Sequence, residues 1–376
     1  MINPSFFSPS TPATLIVDLE AIRENYRILC RGLGPKTACA PAVKANGYGL
    51  GMEQVAEVLW VEGAKTYFVI QCQEGVSLRK VLPQAQIYVL STLISGEEEV
   101  LIENNLIPVL CHFEQLQKWH GVALKAQKKL PCGIHIDTGL VRTGFHEKDL
   151  KKILHSFFEF LDLKLIMSHL ACSYTFDHPM NKEQLEEFLR LKDLLPQASL
   201  SLANSGGVHL GSHYHFDLVR PGLALYGSNL TSPEFKPVAH IFAKILQIEE
   251  IPAGKSIGYD ATFTTARSSR IATLGIGYAD GVLRSLSNQG YVFIQGHKFP
   301  IVGRISMDLM TVDITAHHGA PIRSGDWVEL LGENIRLDDV AKWARTAPWE
   351  ILTNLGSRYE RFYAKENQRN LEKIAS

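Results

Sequence analysis

Short apolar runs alternate with longer helix-periodic segments from Cys39 to Gly222, and this alternation constrains the fold more than any other feature. Strands separated by helices run parallel, because a parallel pair needs a long crossover. Eight such strands close a (βα) barrel. The pattern therefore predicts an α/β fold built on a (βα)8 TIM barrel. The proposed strands are ACAPAVKA, TYFVIQC, AQIYVLS, LIPVLC, CGIHID, LKLIMSHL, LSLANS and FDLVRPG.

The intervening segments have the apolar spacing of helices with one buried face. MEQVAEVLW and NKEQLEEFLRLKDLL are examples. In the second segment we expect four apolar residues to share one helical face: Leu185, Phe188, Leu189 and Leu194. These helices are predicted to form the outer ring of the barrel.

The pattern of apolar and polar residues changes after about Pro237. From there, alternating strands and turns such as RIATLGIGYADG and YVFIQGHKFPIVGRI predict a β-rich domain. Since 376 residues exceed the usual size of one core, we expect a barrel at 10–237 and a C-terminal β-rich domain at 238–376. The early segment TLIVDLEAIRENYRIL adds one strand too many for the barrel, so its strand can pair with the C-terminal domain instead.

Composition excludes several classes of partner. The 38 Lys+Arg and 39 Asp+Glu residues give a net charge of -1, which favours a small molecule over nucleic acid or an anionic membrane. No apolar stretch is long enough to span a bilayer, and the N-terminus lacks a secretory signal pattern, so we expect a cytoplasmic protein. The six cysteines contain no C-x-x-C pair, which argues against a zinc site or a disulfide framework.

Polar side chains follow the proposed barrel strands, where the active sites of such barrels lie. Lys44 and Tyr48 follow the first strand, and the remaining residues follow the fifth to the eighth: Asp137, Arg142, His169, Asn204, Ser205, Arg220 and Gly222. ANSGG offers a hydroxyl and flexible backbone N–H groups to a phosphate. Loss of water and the cations of Arg142 and Arg220 are expected to lower the pKa of Lys44, as a Schiff-base lysine requires.

Seven motifs resemble those of alanine racemases in the family's order: AVKANGYG, IDTGLVRTG, MSHL, ANSGG, VRPGLALYG, IGYADG and GRISMD. They extend through most of the chain. The resemblance implies a fold-type III enzyme that binds pyridoxal 5'-phosphate (PLP) in its barrel, forms a homodimer and interconverts L-alanine and D-alanine, supplying D-alanine for peptidoglycan.

The resemblance also implies roles for catalytic residues. Lys44 would hold the cofactor and act as the base on one face of the substrate, and Tyr259 would be the base on the opposite face. Racemisation needs both, because one group removes the α proton and another delivers a proton from the other side. His169 is similar to the histidine that hydrogen-bonds this tyrosine. Arg220 is similar to the arginine that faces the pyridine nitrogen.

Further residues match the family's binding positions. Tyr48, Ser205, Gly222 and Leu223 would contact the phosphate, the last two through the backbone, and Asn204 would also bind the cofactor. Other matches concern the substrate: Arg142 would reach its carboxylate and the cofactor's phenolic oxygen, the backbone N–H of Met307 would meet that carboxylate beside Asp308, and Tyr278 would line the entrance.

The sequence departs from the family at three positions. His135 stands where many members have a carbamylated lysine that orients the equivalent of Arg142; either His135 hydrogen-bonds by another route or an anion bridges the gap. Trp349 replaces a tyrosine that touches the phosphate, so phosphate affinity is expected to fall while the pocket stays narrow. Ser306 replaces a cysteine.

Two other functions are kept as alternatives. A racemase of broader range, acting for example on serine, would share this scaffold. A PLP-binding homeostasis protein would resemble the barrel alone, so the predicted β domain bearing Tyr259 and Met307 argues against it. A related decarboxylase is not favoured, because it would place a carboxylate, not Arg220, at the pyridine nitrogen. In HLGSHYH, the histidines His209, His213 and His215 could suggest a metal, but no carboxylate or cysteine pair supports one, and we favour a solvated helix and loop without metal.

Overall fold

A computed structural model describes residues 10–364 of the chain, apart from residues 92 and 95. The chain divides into two compact units. The barrel unit comprises Arg23–Leu225 and Leu230–Glu234, and the second unit comprises the remaining described residues. Within the described residues, no helix has the length and apolar character needed to cross a membrane.

The barrel unit contains eight parallel strands that follow one another around a ring. Strands β3 to β8 form one sheet, and β2 pairs with β9. A bridge between Ala42 and Phe68 joins β2 to β3. Just after β8 and β9 end, the backbone N–H of Arg220 donates to the Ala203 carbonyl at 2.8 Å and joins these two strands. The fold class is confirmed, since each proposed run overlaps one strand: β2 (Ala38–Cys39), β3 (Thr66–Val69), β4 (Gln86–Val89), β5 (Ile107–Leu110), β6 (Leu130–His135), β7 (Leu161–Met167), β8 (Ser199–Ser201) and β9 (Leu218–Val219).

The barrel interior is filled by apolar side chains. Phe68 and Tyr88 stack with their ring centroids 5.0 Å apart, and small residues beside them leave room for these rings. The cluster comprises Ala40, Ala42, Phe68, Tyr88, Ile107, Val109, Leu165, Met167 and Leu218. This packed interior leaves the loops at the carboxyl ends of the strands to form the site.

Helices connect most of the barrel strands. After β8 and β9 the chain forms only short 3-10 helices, at Gly207–Leu210, Ser212–Tyr214 and Leu223–Tyr226. The other connections contain α2 (Lys44–Tyr48), α3 (Met52–Val61), α4 (Cys72–Val81), α5 (Glu98–Glu103), α6 (Phe113–Ala126), α7 (Glu147–Leu150), α8 (Phe157–Phe160) and α9 (Pro179–Lys192). The element α1 (Leu19–Arg31) precedes the barrel strands.

The predicted apolar face of α9 is partly wrong. Leu185, Phe188 and Leu191 are buried, whereas Leu189 and Leu194 are exposed. Leu189 lies one residue, about 100°, beyond Phe188 and therefore turns away from the barrel. Leu194 comes after the helix has ended at Lys192, so helical spacing does not apply to it.

The second unit is built around the long strand β10 (Ala239–Ile251). Its sheet has the order β15-β14-β17-β10-β1-β18, and β13 pairs with both β10 and β16. The strand of the early segment is β1 (Ala13–Asp18), which pairs antiparallel with β10 and parallel with β18. The other elements are β11 (Ser256–Ile257), β12 (Phe263–Thr264), β13 (Ser269–Leu274), β14 (Tyr291–Ile294), β15 (His297–Pro300), β16 (Met310–Asp313), β17 (Trp327–Leu331), α10 (Leu337–Ala344), α11 (Pro348–Thr353) and β18 (Glu360–Ala364).

Candidate active site

Lys44 begins a turn of left-handed backbone at the carboxyl end of the first barrel strand. Ala45, Asn46, Gly47 and Tyr48 have φ values of 53°, 53°, 62° and 55°. Such a run is costly for non-glycine residues, and hydrogen bonds stabilise it: the Gly49 N–H donates to the Ala45 carbonyl at 2.7 Å. The turn reverses the chain immediately after Lys44 and fixes the side chains of Lys44 and Tyr48 at the barrel mouth.

The environment of Lys44 favours its neutral amine. Its side chain is half-buried, and burial followed by repulsion from Arg142 lowers its pKa, while Glu74 acts in the opposite direction. Glu74 also anchors the turn, because its carboxylate accepts the Ala45 N–H at 2.6 Å. A neutral amine is the form that attacks an aldehyde.

Hydroxyl and backbone N–H groups converge on Ser205. Its Oγ accepts the N–H of Gly222 at 2.9 Å and that of Ala224 at 3.2 Å, and Tyr174 hydrogen-bonds to it. A Cβ on Gly222 would lie 2.2 Å from Tyr48 Oη, so the Tyr48 phenol is packed directly on that glycine. Burial raises the pKa of Tyr48, which keeps its hydroxyl protonated as a donor. This cluster is suited to an anion.

The sequence reasoning missed two members of this cluster. Ala224 supplies the second N–H, whereas Leu223 was the expected neighbour of Gly222. Tyr174 follows β7 in SYTF, and a hydroxyl shortly after a barrel strand was the signal that could have found it. Asn204 shapes the loop: its Oδ1 accepts from Ser173 Oγ at 2.7 Å and from the Gly207 N–H at 3.0 Å.

Arg220 is a buried cation beneath the barrel mouth. Its guanidinium donates to Ser201 Oγ and to the carbonyls of Ser168 and Leu202, and it lies 5.8 Å from the centroid of the Phe68 ring. Burial lowers its pKa to about 9, so it remains charged at neutral pH. The sequence after β9 therefore places a fixed hydrogen-bond donor at the mouth.

Two neutral histidines accompany these cations. Burial, then the charges of Arg220 and Arg142, lowers the pKa of His135 to about 4. The same causes hold the pKa of the half-buried His169 well below its usual range. Among the described residues, we find no hydrogen bond that the His169 ring makes. Both rings are therefore uncharged at neutral pH.

Arg142 is exposed on the loop that follows β6. Asp137 shapes that loop, because its Oδ1 accepts the N–H groups of Gly139 at 2.8 Å and Val141 at 3.1 Å. Beside Arg142, the Thr143 hydroxyl lies 3.4 Å from His135 Nδ1. His135 thus contacts the residue next to Arg142.

The residues of the mouth fit PLP. Arg142 and Arg220 supply positive charge, and the nearby carboxylates of Glu74 and Asp137 already accept backbone N–H groups. An anionic cofactor that reacts with an amine requires a cation-rich pocket, an N–H and hydroxyl cradle for its phosphate, and a lysine whose pKa is lowered.

Tyr259 lies in the second unit, on a tight turn between β11 and β12. Asp260 and Ala261 have φ values of 60° and 48°, and Arg304 Nε lies 2.7 Å from Asp260 Oδ2. The Tyr259 side chain is 69% exposed. The turn therefore presents the phenol outward on its own unit.

Tyr278, Met307 and Asp308 come together in the second unit. The Tyr278 N–H donates to the Ser306 carbonyl and the Ala279 N–H donates to the Met307 carbonyl, both at 3.0 Å. Trp349 is the second residue of α11, and its side chain is exposed, as are those of Tyr278 and Met307. The predicted residues thus divide between the units, with Lys44 and the other residues of the barrel mouth in the barrel unit and Tyr259, Tyr278, Met307, Asp308 and Trp349 in the second.

The expectation of a solvated helix and loop at HLGSHYH is wrong for one histidine. His215 is buried, and its Nε2 lies 2.8 Å from the Val208 carbonyl. Two short 3-10 helices fold the segment back on itself, which brings these residues into contact. Local sequence spacing assumes a single continuous helix and could not predict this.

Known proteins match the whole architecture. The models of the alanine racemase N-terminal and C-terminal domains match residues 17–230 and 238–363. The alanine racemase of Rickettsia akari (strain Hartford) is 42% identical over 353 residues, covering 93% of this chain and 98% of the relative. The biosynthetic alanine racemase of Agrobacterium fabrum is 40% identical over 368 residues, 94% of each protein. The crystal structure of the Bartonella henselae alanine racemase with covalently bound PLP superposes with a TM-score of 0.91 at 42% identity, covering 94% of this chain and 100% of that one.

Proposed function

The chain belongs to the alanine racemase family and is a PLP-dependent amino-acid racemase, and we propose that Lys44 and Tyr259 are the two bases with which it interconverts L-alanine and D-alanine. The observation that carries the proposal is the setting of Lys44. Its half-buried amine has a lowered pKa and stands in the same barrel mouth as the buried Arg220 and the anion cradle around Ser205.

We propose that the barrel unit holds the cofactor. Lys44 would hold it, and its phosphate would bind in the cradle formed by Tyr48, Asn204, Ser205 and the backbone at Gly222 and Leu223, together with Tyr174 and Ala224. Arg220 would donate a hydrogen bond to the pyridine nitrogen. When bound, PLP supplies an electron-withdrawing ring that makes the substrate's α proton acidic. Because Arg220 stays charged and can only donate, it would leave that nitrogen unprotonated, and the weaker electron sink would limit side reactions such as transamination.

Proton transfer is assigned to two groups on opposite faces of the substrate. Lys44 Nζ exchanges a proton with Cα on one face, and Tyr259 Oη exchanges a proton with Cα on the other. The neutral His169 ring, which has no hydrogen bond among the described residues, is available to accept one from the Tyr259 hydroxyl. That bond would orient Tyr259 Oη toward the substrate's Cα.

The substrate carboxylate is assigned to Arg142 and to the backbone N–H of Met307, beside Asp308. Thr143 is the neighbour of Arg142, and its contact with His135 Nδ1 at 3.4 Å favours the first of the two alternatives for His135. We propose that His135 anchors this loop by a neutral hydrogen bond. Tyr278 and Trp349 would narrow the entrance, and Trp349 would border the phosphate.

We further propose a cytoplasmic homodimer with shared active sites. The barrel domain, 10–237, would supply Lys44, and the C-terminal domain of the partner, 238–376, would supply Tyr259. The exposure of Tyr259, Tyr278, Met307 and Trp349 supports this, because exposed aromatic and apolar side chains are typical of interfaces.

Deuterium exchange tests the function directly. The purified protein is incubated with single L-amino acids in deuterated water, and the loss of optical activity is followed together with α-deuterium incorporation. We expect both to proceed on alanine at matching rates and to be faster on alanine than on serine. Equal or faster exchange on serine would favour the broader-specificity racemase, and PLP binding without exchange would favour the homeostasis protein.

A further inference from the structure

Arg358 joins two carboxylates of the second unit. Its Nε and Nη2 donate to Asp280 Oδ1 and Oδ2, both at 2.8 Å, and its Nη1 donates to Asp308 Oδ1 at 2.6 Å. Asp280 is buried, whereas Asp308 is exposed. Guanidinium is the only side-chain cation that can make a forked bond to one carboxylate and reach a second one at the same time.

Asp280 belongs to the turn that carries Tyr278. Its Oδ2 accepts the Gly277 N–H at 2.9 Å, which closes the turn. The turn packs backbone against backbone on the next loop, since a Cβ on Gly277 would lie 2.4 Å from the carbonyl oxygens of Ser306 and Met307. The Tyr278 turn and the Met307 loop therefore form one assembly with no side chain between them.

The chain segment that carries Arg358 completes this assembly. The Gly356 N–H donates to the Asp280 carbonyl at 3.0 Å. On the other side of the turn, a Cβ on Gly281 would lie 2.3 Å from the Asn354 carbonyl oxygen. Since α11 ends at Thr353, the segment also connects the assembly to the helix that begins beside Trp349.

Asp308 follows Met307 directly, so its charge stands close to the Met307 N–H. An unpaired carboxylate there would repel the carboxylate of a substrate and could swing toward that N–H itself. Arg358 holds Asp308 on the side of Asp280 and offsets part of its negative charge, since the guanidinium is shared with Asp280. The guanidinium therefore fixes the position of the Met307 N–H and makes the electrostatic potential around it less negative.

We propose that Arg358 is a positioning residue for the substrate carboxylate, fixing the Met307 loop to the Tyr278 turn through Asp308 and Asp280. This inference rests on the proposed function, because it takes the Met307 N–H to bind substrate. In this proposal the Arg358 side chain does not contact the reacting atoms, and it acts through Asp308 and Asp280.

Steady-state kinetics of Arg358→Met and Arg358→Lys test this role, with the exposed Arg267→Met of the same unit as the matched control. We expect Arg358→Met to raise KM for alanine about tenfold while kcat changes less than about threefold, because binding energy to the carboxylate is lost. Inhibition by propionate, which has the carboxylate and lacks the amine, should weaken by the same factor. Visible absorbance of the bound cofactor should not change.

Arg358→Lys decides the outcome if Arg358→Met does not fold, because lysine keeps the positive charge but cannot make the two-pronged hydrogen bond to the Asp280 carboxylate. It should raise KM for alanine and weaken propionate inhibition about threefold. Unchanged KM and unchanged propionate inhibition in the folded variants would overturn the inference, as would a fall in kcat at constant KM. Failure of the wild-type protein to racemise alanine would instead overturn the proposed function, so the two failures are distinguishable.

Discussion

Tyr48 and Gly222 are in direct contact, because a Cβ on Gly222 would lie 2.2 Å from Tyr48 Oη and 2.9 Å from its Cζ. The tyrosine ends the left-handed turn after Lys44, and the glycine follows the last barrel strand. The missing side chain at position 222 is therefore what allows the phenol to reach the cradle around Ser205. The turn that follows Lys44 and the cradle around Ser205 depend on each other through this contact.

Gly222→Ala should weaken cofactor binding. The added methyl group cannot be accommodated unless the Tyr48 ring moves away from the cradle, so the PLP dissociation constant, measured by absorbance titration of the apoenzyme, should rise about tenfold, which is about 1.4 kcal/mol. Gly121→Ala is the matched control, because a Cβ there meets no atom within 4 Å. An unchanged dissociation constant in Gly222→Ala would show that the contact does not matter for binding.

Arg220→Glu should raise transamination relative to racemisation. A carboxylate at this buried position would hold the pyridine nitrogen protonated and make the ring a stronger electron sink. Pyruvate formed per racemisation event is the measurement. The exposed Arg190→Glu, which makes the same charge change on the barrel surface, is the control. The role assigned to Arg220 fails if the pyruvate ratio of Arg220→Glu equals that of the control.

His135→Asn should reduce the loss of stability in acid. The pKa of His135 in the folded protein is about 4, against about 6.5 in an unfolded chain. As pH falls from about 6.5 to about 4, the unfolded chain binds this proton and the folded protein does not, so stability declines by up to about 3 kcal/mol. Above that window the histidine contributes no pH dependence.

Urea unfolding at several pH values measures this effect. The difference in the free energy of unfolding between pH 6.5 and pH 4 should be smaller in His135→Asn than in the wild type, and the exposed His155→Asn should match the wild type. If His135→Asn lost as much stability over this range as the wild type, the conclusion that His135 is buried and neutral would be contradicted.

The sequence predicted the barrel because its signals are local. Each of the eight apolar runs overlaps a strand, and Lys44, Ser205 and Arg220 follow their strands as the barrel rule requires. In an eight-stranded parallel barrel, all carboxyl ends face the same mouth, so chain order alone brings these side chains together. The exposed side of α9 was mispredicted at Leu189, because helical spacing gives a face only to within about one residue.

Contacts between distant segments could not be predicted in the same way. The fork of Arg358 joins residues from three loops, and the packing of Tyr48 on Gly222 depends on backbone angles that no pattern of residue types specifies. Tyr174 was missed because a single hydroxyl in a loop looks like any solvated residue. His135 was identified only as a departure from the family, and its neutrality comes from burial between Arg220 and Arg142.

The central claim is that each active site combines Lys44 of one subunit with Tyr259 of the other. It is tested by unfolding, mixing and refolding inactive Lys44→Ala and Tyr259→Phe chains in equal amounts. A mixed dimer would contain one site with both defects and one intact site. Since half of randomly paired dimers are mixed, racemisation should recover to about a quarter of the wild-type rate. If both bases came from the same chain, every site would keep one defect, so recovery no greater than that of the separately refolded variants, with mixed dimers demonstrated, would contradict the shared site.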